Sequence, residues 1–287
     1  MVITKSYMEL DYTEKNQVLE FKQASGESVS IDQLDDMFIK KITGYGEGVI
    51  FAFYDKQVCG KIEIVLESCK ELGNIYIYST EIVQDKYCRK EIVKSLIDKA
   101  IIVSKKHNPN AIFLSVSGEL LNICEDLGYR HQYTSATMRL EEKSTTGSNL
   151  VLQSLNNDNK ELYHEIINKS FSDMPHGIYH YLIDIEKYMT MADENNYFFI
   201  VEKDKTPIGF MNIEILENKG LFDIGICKEF RGKGYGKKLL ETAIDFLNKK
   251  AVENIELIVI KKNHIAYEMY KKRGFKERSI IGYWLKL

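Results

Sequence analysis

The sequence predicts an α/β protein of two similar domains, each a mixed sheet flanked by helices. Three observations carry this expectation. Strand-like runs in the second half first meet at a tight turn and then alternate with helical patterns, the order that builds a mixed sheet. Landmarks in the second half reappear in the first at a nearly constant spacing. A polar stretch, Glu141 to Asn149, separates the halves. The chain has 287 residues, enough for two domains of ordinary size.

In order through the second half, Asn149 to Leu155 reads as a strand. Asn157 to Ser170 and Ile178 to Met191 read as helices joined by the loop 171–177. Tyr197 to Lys203 and Ile208 to Leu216 are strands meeting at the turn Asp204-Lys205-Thr206-Pro207. Alternation puts Phe210, Asn212 and Glu214 on one face of their strand and Met211, Ile213 and Ile215 on the other. Leu221 to Cys227 is an apolar central strand. Lys233 to Lys250 is a helix, because Leu239, Leu240, Ala243, Ile244 and Leu247 recur at three- and four-residue spacing. Ile255 to Ile260 is the next strand, Asn263 to Arg273 a short helix, and Phe275 to Leu287 supplies the closing strands. In the first half, Asp55 to Gly60 parallels Asp204 to Gly209, Gln84 parallels Arg231, and Gly128-Tyr129 parallels Gly274-Phe275. The spacings are 149, 147 and 146 positions, which indicates a duplicated unit. Ile92, Val93, Leu96, Ile97, Ala100 and Ile101 form the apolar stripe of its main helix. The expected domains are residues 1–141, a linker at 142–148, and residues 149–287.

Composition narrows the function classes. The hydrophobic content of 44% with 18 Tyr and 13 Phe suffices for packed cores, and the net charge of −3 supplies no broad basic field for nucleic acid. Five cysteines without paired spacing point away from disulfide scaffolds and zinc sites, so no metal is expected. The start Met1-Val2-Ile3-Thr4-Lys5 lacks an apolar leader core, and no apolar run approaches ~18 residues. A soluble, cytoplasmic protein without a membrane partner is the expectation.

The chemistry concentrates in Arg231-Gly232-Lys233-Gly234-Tyr235-Gly236, between the central strand and its helix. A glycine-rich turn at a helix start exposes successive N–H groups that no helix carbonyl accepts, and the helix dipole adds positive charge there. An anion, most naturally a phosphate, is stabilised at such a place. The cations Lys228, Arg231, Lys233, Lys237 and Lys238 oppose the dipole, a conflict that an anionic ligand removes. No Lys-Ser or Lys-Thr follows the glycines, as a P-loop requires. Lys237 stands where a dinucleotide fingerprint needs its third glycine. A plain tight turn remains as the bland reading.

Arg231, Gly234 and Gly236 fit the R/Q-x-x-G-x-G/A turn of the GNAT acetyltransferases. Ile226-Cys227-Lys228-Glu229-Phe230 resembles that family's strand-end V-x-P-E-x segment, with Lys228 in place of proline. Asn263, Ala266, Tyr270, Gly274 and Phe275 fit N-x-x-A-x-x-x-Y-x-x-x-G-F of its last helix. The resemblance covers about residues 149–287. It implies, for each half, a mostly antiparallel twisted sheet, and in the second a splayed central strand pair that receives the pantetheine arm of acetyl-CoA. It further implies cofactor contacts from Ile226, Lys228, Arg231, Gly232, Lys233, Gly234, Tyr235, Gly236 and Asn263, and acetyl transfer to an amine by direct attack. Tyr270 holds the family's general-acid position. A backbone N–H near Ile226 would stabilise the oxyanion.

The attacking amine must lose a proton, and Asp223 and Glu214 are the candidate bases, each alternatively a plain polar residue of the surface or the hairpin. Asn263 reads first as a helix N-cap and second as a cofactor contact. Cys227, next to Lys228, raises covalent catalysis only to be set aside, since direct attack needs no enzyme nucleophile. His176, Tyr179, His180 and Tyr181 lie on or just after the loop that shapes the acceptor pocket in the family, or are simply exposed aromatics. The first half carries Tyr87 and Arg89 where the second has Gly234 and Gly236, Cys124 for Tyr270 and Ser117 for Asn263, so it reads as a degenerate copy. Two alternatives stay open: a CoA or acyl-CoA sensor or scaffold without turnover, and an acyltransferase with another donor or a hydroxyl acceptor. The acceptor, a small molecule or peptide, and the oligomeric state are not legible.

Overall fold

A computed structural model describes residues 1–67, 69–83, 89–145, 147, 149–174 and 176–287, with Ser79 described by its backbone alone. The chain forms two compact units, Met1–Tyr133 with Gly282–Leu287, and Thr134–Ile281.

The first unit runs β1 (Ile3–Ser6), α1 (Tyr12–Ala24), α2 (Ile31–Phe38), β2 (Val49–Tyr54), β3 (Gln57–Val65), α3 (Cys69–Leu72), β4 (Asn74–Ile82), α4 (Arg89–Lys105), β5 (Ala111–Val116) and α5 (Gly118–Asp126). Its strands lie in the order β1-β2-β3-β4-β5, and Tyr283 to Lys286 at the chain end pair antiparallel with β5. Among the described residues of this unit only β4 and β5 run parallel, joined by α4 as a crossover, while β1 with β2, β2 with β3 and β3 with β4 are antiparallel. Ile92, Val93, Leu96, Ile97 and Ala100 of α4 are buried with Ile75 and Ile77 of β4 in one apolar core.

The second unit contains most of β6 (Arg130–Leu140), then β7 (Val151–Ser154), α6 (Lys160–Phe171), α7 (Leu182–Met191), β8 (Asn196–Lys203), β9 (Thr206–Leu216), β10 (Lys219–Ile226), α8 (Tyr235–Lys249), β11 (Asn254–Ile260), α9 (His264–Arg273) and the start of β12 (Phe275–Lys286). Its strand order is β12-β6-β11-β10-β9-β8-β7. Again one pair is parallel, β10 with β11, and α8 is the crossover between them. Leu239, Leu240, Ala243, Ile244 and Leu247 of α8 are at most 1% exposed against one face of this sheet, where a buried leucine or isoleucine contributes about 1.5–3 kcal/mol. Helix α6 covers the opposite face, with Tyr163, Ile166 and Ile167 packed on Ile200 and Phe210.

The structure differs from the expected bounds in three places. The composition put the boundary in a linker at 142–148, yet the units divide inside β6 and β12. Compactness follows strand pairing, and Lys143 and Ser144 are tied to the second unit by the Lys143 ammonium on the Val252 carbonyl at 2.7 Å and by Arg273 on the Ser144 carbonyl. The closing segment is one long strand, and α7 begins at Leu182, four residues later than expected.

The repeat landmarks have matching local geometry. Asp55 and Lys56 (φ +48° and +67°) mirror Asp204 and Lys205 (φ +51° and +63°), the left-handed pair of a tight hairpin turn. Gly128 and Gly274 (φ +92° and +100°) each follow a helix, α5 and α9. Ser117 precedes α5 as Asn263 precedes α9, and Cys124 is fully buried, with its thiol pushed up to about 11 by burial. Gln84 and Tyr87 lie outside the described residues; Arg89 opens α4 and reaches Glu119 at 2.9 Å.

Candidate active site

The parallel ladder between β10 and β11 is short. It pairs Lys219 with Asn254, Gly220 with Ile255 and Leu221 with Glu256, then stops. Beyond Leu221, β10 keeps β9 as its partner as far as Ile226, and β11 keeps β6 as far as Ile260. The two strands therefore part, and a cleft of about 760 Å³ opens where they separate. Asp223, Ile224, Gly225 and Ile226 line it from β10, and Ile258, Val259 and Ile260 from β11.

The glycine turn forms one end of this cleft. Gly232 and Gly234 hold φ of +78° and +81°, and Gly234 is the N-cap of α8 without any side-chain cap. Among the described residues, the backbone amides from Gly232 to Lys237 donate to no protein group; the first amide to do so, that of Lys238, reaches Gly234 at 3.4 Å. Six consecutive N–H groups at the positive end of a fifteen-residue helix suit an anion of more than one phosphate.

Backbone alternation sets the next group. The Cys227 amide donates to the Ile208 carbonyl at 2.9 Å, so the Ile226 amide points to the opposite strand edge, the one facing the cleft. The Ile226 carbonyl on that edge is taken by the Arg231 Nε at 2.9 Å. The Lys228 carbonyl is also taken, by the Arg231 amide at 3.2 Å.

Arg231 differs from its expected part. Its guanidinium also binds Asp173 at 2.9 Å and the Ser170 carbonyl at 3.0 Å. The side chain is thus committed to fastening the loop after α6 to the end of β10, although it still borders the cleft. Asn263 adds a second tie. It caps α9 by accepting from the Ala266 amide at 3.2 Å, and its Nδ2 lies 3.3 Å from the Met174 sulfur.

Asp223 faces α6, opposite Asn212 in the register. It stays open to water in the cleft, but the surrounding protein desolvates it and pushes its carboxyl up to about 6, against a smaller opposing hydrogen bond from the Ile224 amide. Tyr270 comes from α9 and is 9% exposed. Burial, then the Asp223 charge, raise its hydroxyl well above the usual tyrosine range, so it keeps its proton at neutral pH. His176, at φ +69°, lines the same cleft, and burial lowers its imidazole to about 4.

Of the residues expected from sequence, Asp223, Ile226, Arg231, Gly232, Gly234, Gly236, Asn263 and Tyr270 border the cleft. Glu214 does not: it pairs with Leu221, the last rung before the strands part, and so lies short of the opening. Lys228, Lys233 and Tyr235 present no side chain to it; Lys228 is 77% exposed, and the Lys233 ammonium sits over the Phe230 ring at 5.3 Å. Their backbone amides at 233 and 235 remain in the unpaired row. Lys237, one of the cations expected beside the glycine turn, lines the cleft too, as do Ile224, Ile258, Phe171 and Met174, which were not singled out. Period-two alternation from Ile226 could have found Ile224; the others depend on how loops and helices fold over the strands. Cys227 is buried with its sulfur 3.7 Å from the Ser170 hydroxyl, and burial raises its thiol, which leaves it a packing residue. His180 holds the chain in place: its amide and carbonyl bond Asn168 at 2.8 and 2.9 Å, and its ring lies 3.3 Å from the Tyr188 hydroxyl. Among the described residues, no helix is long and apolar enough to cross a membrane, and no group of three or more His, Cys, Asp or Glu could hold a metal ion.

Comparison with known proteins bears on this cleft. The family model described as Acetyltransferase (GNAT) family matches residues 158–275. An uncharacterized N-acetyltransferase of Methanocaldococcus jannaschii is 33% identical over 109 residues, 35% of this chain and 48% of that protein. The spermidine N(1)-acetyltransferase of Thermoplasma acidophilum is 35% identical over 80 residues, 28% of this chain and 50% of that protein. The chain therefore spans about half the length of these relatives. A tandem GNAT protein from the clavulanic acid biosynthesis pathway superposes with a TM-score of 0.60 at 11% identity, over 100% of this chain and 98% of that one. A GCN5-related N-acetyltransferase from Sphaerobacter thermophilus gives 0.62 at 12% identity, over 100% and 95%. At such identities these two likenesses concern the fold alone. The motifs, the parted strands and the segment that matches the GNAT acetyltransferase family, residues 158–275, all lie in the second half.

Proposed function

We propose that the second unit transfers an acetyl group from acetyl-CoA to a primary amine by direct attack, and that the first half is a degenerate copy without that chemistry. The observation that carries the reading is the row of unpaired amides from Gly232 to Lys237 opening onto the cleft between β10 and β11. Those amides fit the diphosphate of coenzyme A, whose thioester supplies the acyl group. The Ile226 N–H faces the cleft and is placed to stabilise an oxyanion as the carbonyl is attacked. An alkylamine has a pKa near 10, so it must shed a proton first; the Asp223 carboxylate is the group in the cleft able to accept it near neutral pH. The Tyr270 hydroxyl retains its proton and donates it to the departing thiolate. Relatives named for acetylating spermidine, or the ribosomal protein bS18 at alanine, make amine acceptors the natural first panel.

The test measures free-thiol release from acetyl-CoA across polyamines, amino acids, aminoglycosides and peptide N-termini, beside a calorimetric titration with coenzyme A. Acetylated amine with stoichiometric thiol supports the reading. Tight coenzyme A binding without transfer to any amine supports a sensor instead, and transfer to hydroxyls, or only from a longer acyl thioester, replaces the acceptor or donor.

A further inference from the structure

The cleft passes through the sheet, and its two sides differ in charge. On the α8 side stand the unpaired amides, with Lys237 of α8 and Lys272 and Glu268 of α9 bordering the cleft, two cations against one carboxylate. On the α6 side the lining comes from Ser170, Phe171, Met174, His176 and Asp223. The faces are fixed by contacts: a Cβ on Gly225 would lie 2.7 Å from the Ser170 side chain, whereas one on Gly220 would lie 2.4 Å from Leu247 of α8. Gly225 and Asp223 share a face, and Gly220 has the other.

Of the α6-side lining residues, Asp223 alone carries charge at neutral pH, because His176 is held neutral by burial. Arg231 also borders the cleft, and its guanidinium already bonds both Asp173 carboxylate oxygens, the Ser170 carbonyl and the Ile226 carbonyl. A carboxylate entering here would meet Asp223 with no uncommitted arginine to offset it. An ammonium would meet Asp223 with the Phe171 and Met174 side chains beside it.

We infer that the acceptor is a primary amine whose amine-bearing carbon carries no carboxylate, such as an alkylamine, a polyamine or a peptide N-terminus, and that free α-amino acids are excluded by Asp223. The inference rests on the acetyltransferase reading and narrows it. Asp223 acts by attraction to the ammonium and by repulsion of a neighbouring carboxylate, so it sets specificity from both sides.

The experiment compares acceptors that differ only in that carboxylate: phenethylamine, phenylalanine amide and phenylalanine, and likewise isobutylamine, valine amide and valine. Thiol release and product mass are measured with saturating acetyl-CoA. The amines and amides are expected to exceed the acids in kcat/KM by about tenfold or more. In Asp223→Asn, whatever its absolute rate, that ratio is expected to shrink toward one; should turnover be too slow to read, calorimetric affinities for the coenzyme A-loaded variant give the same ratio. Acids used as well as amines, or a ratio unchanged in the variant, overturn the inference while leaving acetyl transfer standing. A protein that binds coenzyme A but transfers acetyl neither to these acceptors nor to any amine of the wider panel removes the acetyltransferase reading and this inference with it.

Discussion

The β4–α4–β5 crossover of the first unit and the β10–α8–β11 crossover of the second share one plan but meet different ends. In the first, four rungs from Asn74–Ala111 to Ile77–Leu114 hold the parallel strands, and the Thr80 hydroxyl then bridges to the Ser115 carbonyl at 3.3 Å. On the face away from α4, Tyr76 stacks on Phe113 at 5.6 Å and Tyr78 meets Trp284 edge-on at 5.0 Å. In the second, three rungs suffice before the strands part. Counted from the first rung of each parallel ladder, Asn74 and Lys219, Tyr78 corresponds to Asp223 and Thr80 to Gly225. A large ring and a hydroxyl occupy the ground where the other copy has a carboxylate and a bare backbone. A strand-turn-helix crossover becomes a binding cleft only where side chains are withheld from it.

The contrast breaks most sharply at the glycine turn. The wild-type protein is expected to titrate one equivalent of coenzyme A in a calorimeter, and Gly234→Glu to lose affinity by on the order of 100-fold or more, since a carboxylate would stand against the diphosphate and a side chain would strain a φ of +81°. Two equivalents, or unchanged affinity in a variant with native circular dichroism, would erase the difference between the copies. Next in size is Tyr270→Phe. Loss of a positioned acid should lower kcat about 100-fold with little change in donor affinity; a kcat left intact at neutral pH assigns the proton to another source.

Asp223 gives the third effect. With a carboxyl pushed up to about 6, it is protonated as pH falls through that value and can neither accept a proton nor attract an ammonium. Beyond the amine's own titration, kcat/KM should therefore fall by a further factor of about ten per pH unit below 6. Asp223→Asn should remove this inflection, and its persistence would place the titrating group elsewhere. The smallest effect is expected from Asp173→Asn, which frees the Arg231 guanidinium from its carboxylate partner. For a partly exposed ion pair, about a two- to five-fold rise in acceptor KM is the scale, with donor affinity unchanged. A matching loss of coenzyme A affinity would show that the clamp serves the donor side.

Much of this was legible early for physical reasons that can be named. Glycines at 232, 234 and 236 have few reasons to cluster before an amphipathic helix except backbone exposure, so the candidate anion site stood out. Tyr270 was found by its spacing from Gly274. Glu214 was a plausible base only until the register put it beside Leu221. Arg231 looked like a phosphate ligand because its charge is visible in sequence while its partners, Asp173 and the carbonyls of Ser170 and Ile226, are not. The linker at 142–148 was polar enough to suggest a boundary, but polarity reports solvent contact and not which strands pair.

The amino-acid order by itself determined the crossover units, the bare amides ahead of α8 and the place of Tyr270 on α9, because these follow from local spacing, backbone freedom and helix periodicity. Only the tertiary structure decided where β10 leaves β11, which carboxylate stands in the opening, and that the guanidinium of Arg231 is spent on a loop. Those outcomes depend on register and on contacts between residues some fifty or more positions apart, as with Arg231 and Asp173, which no local pattern encodes.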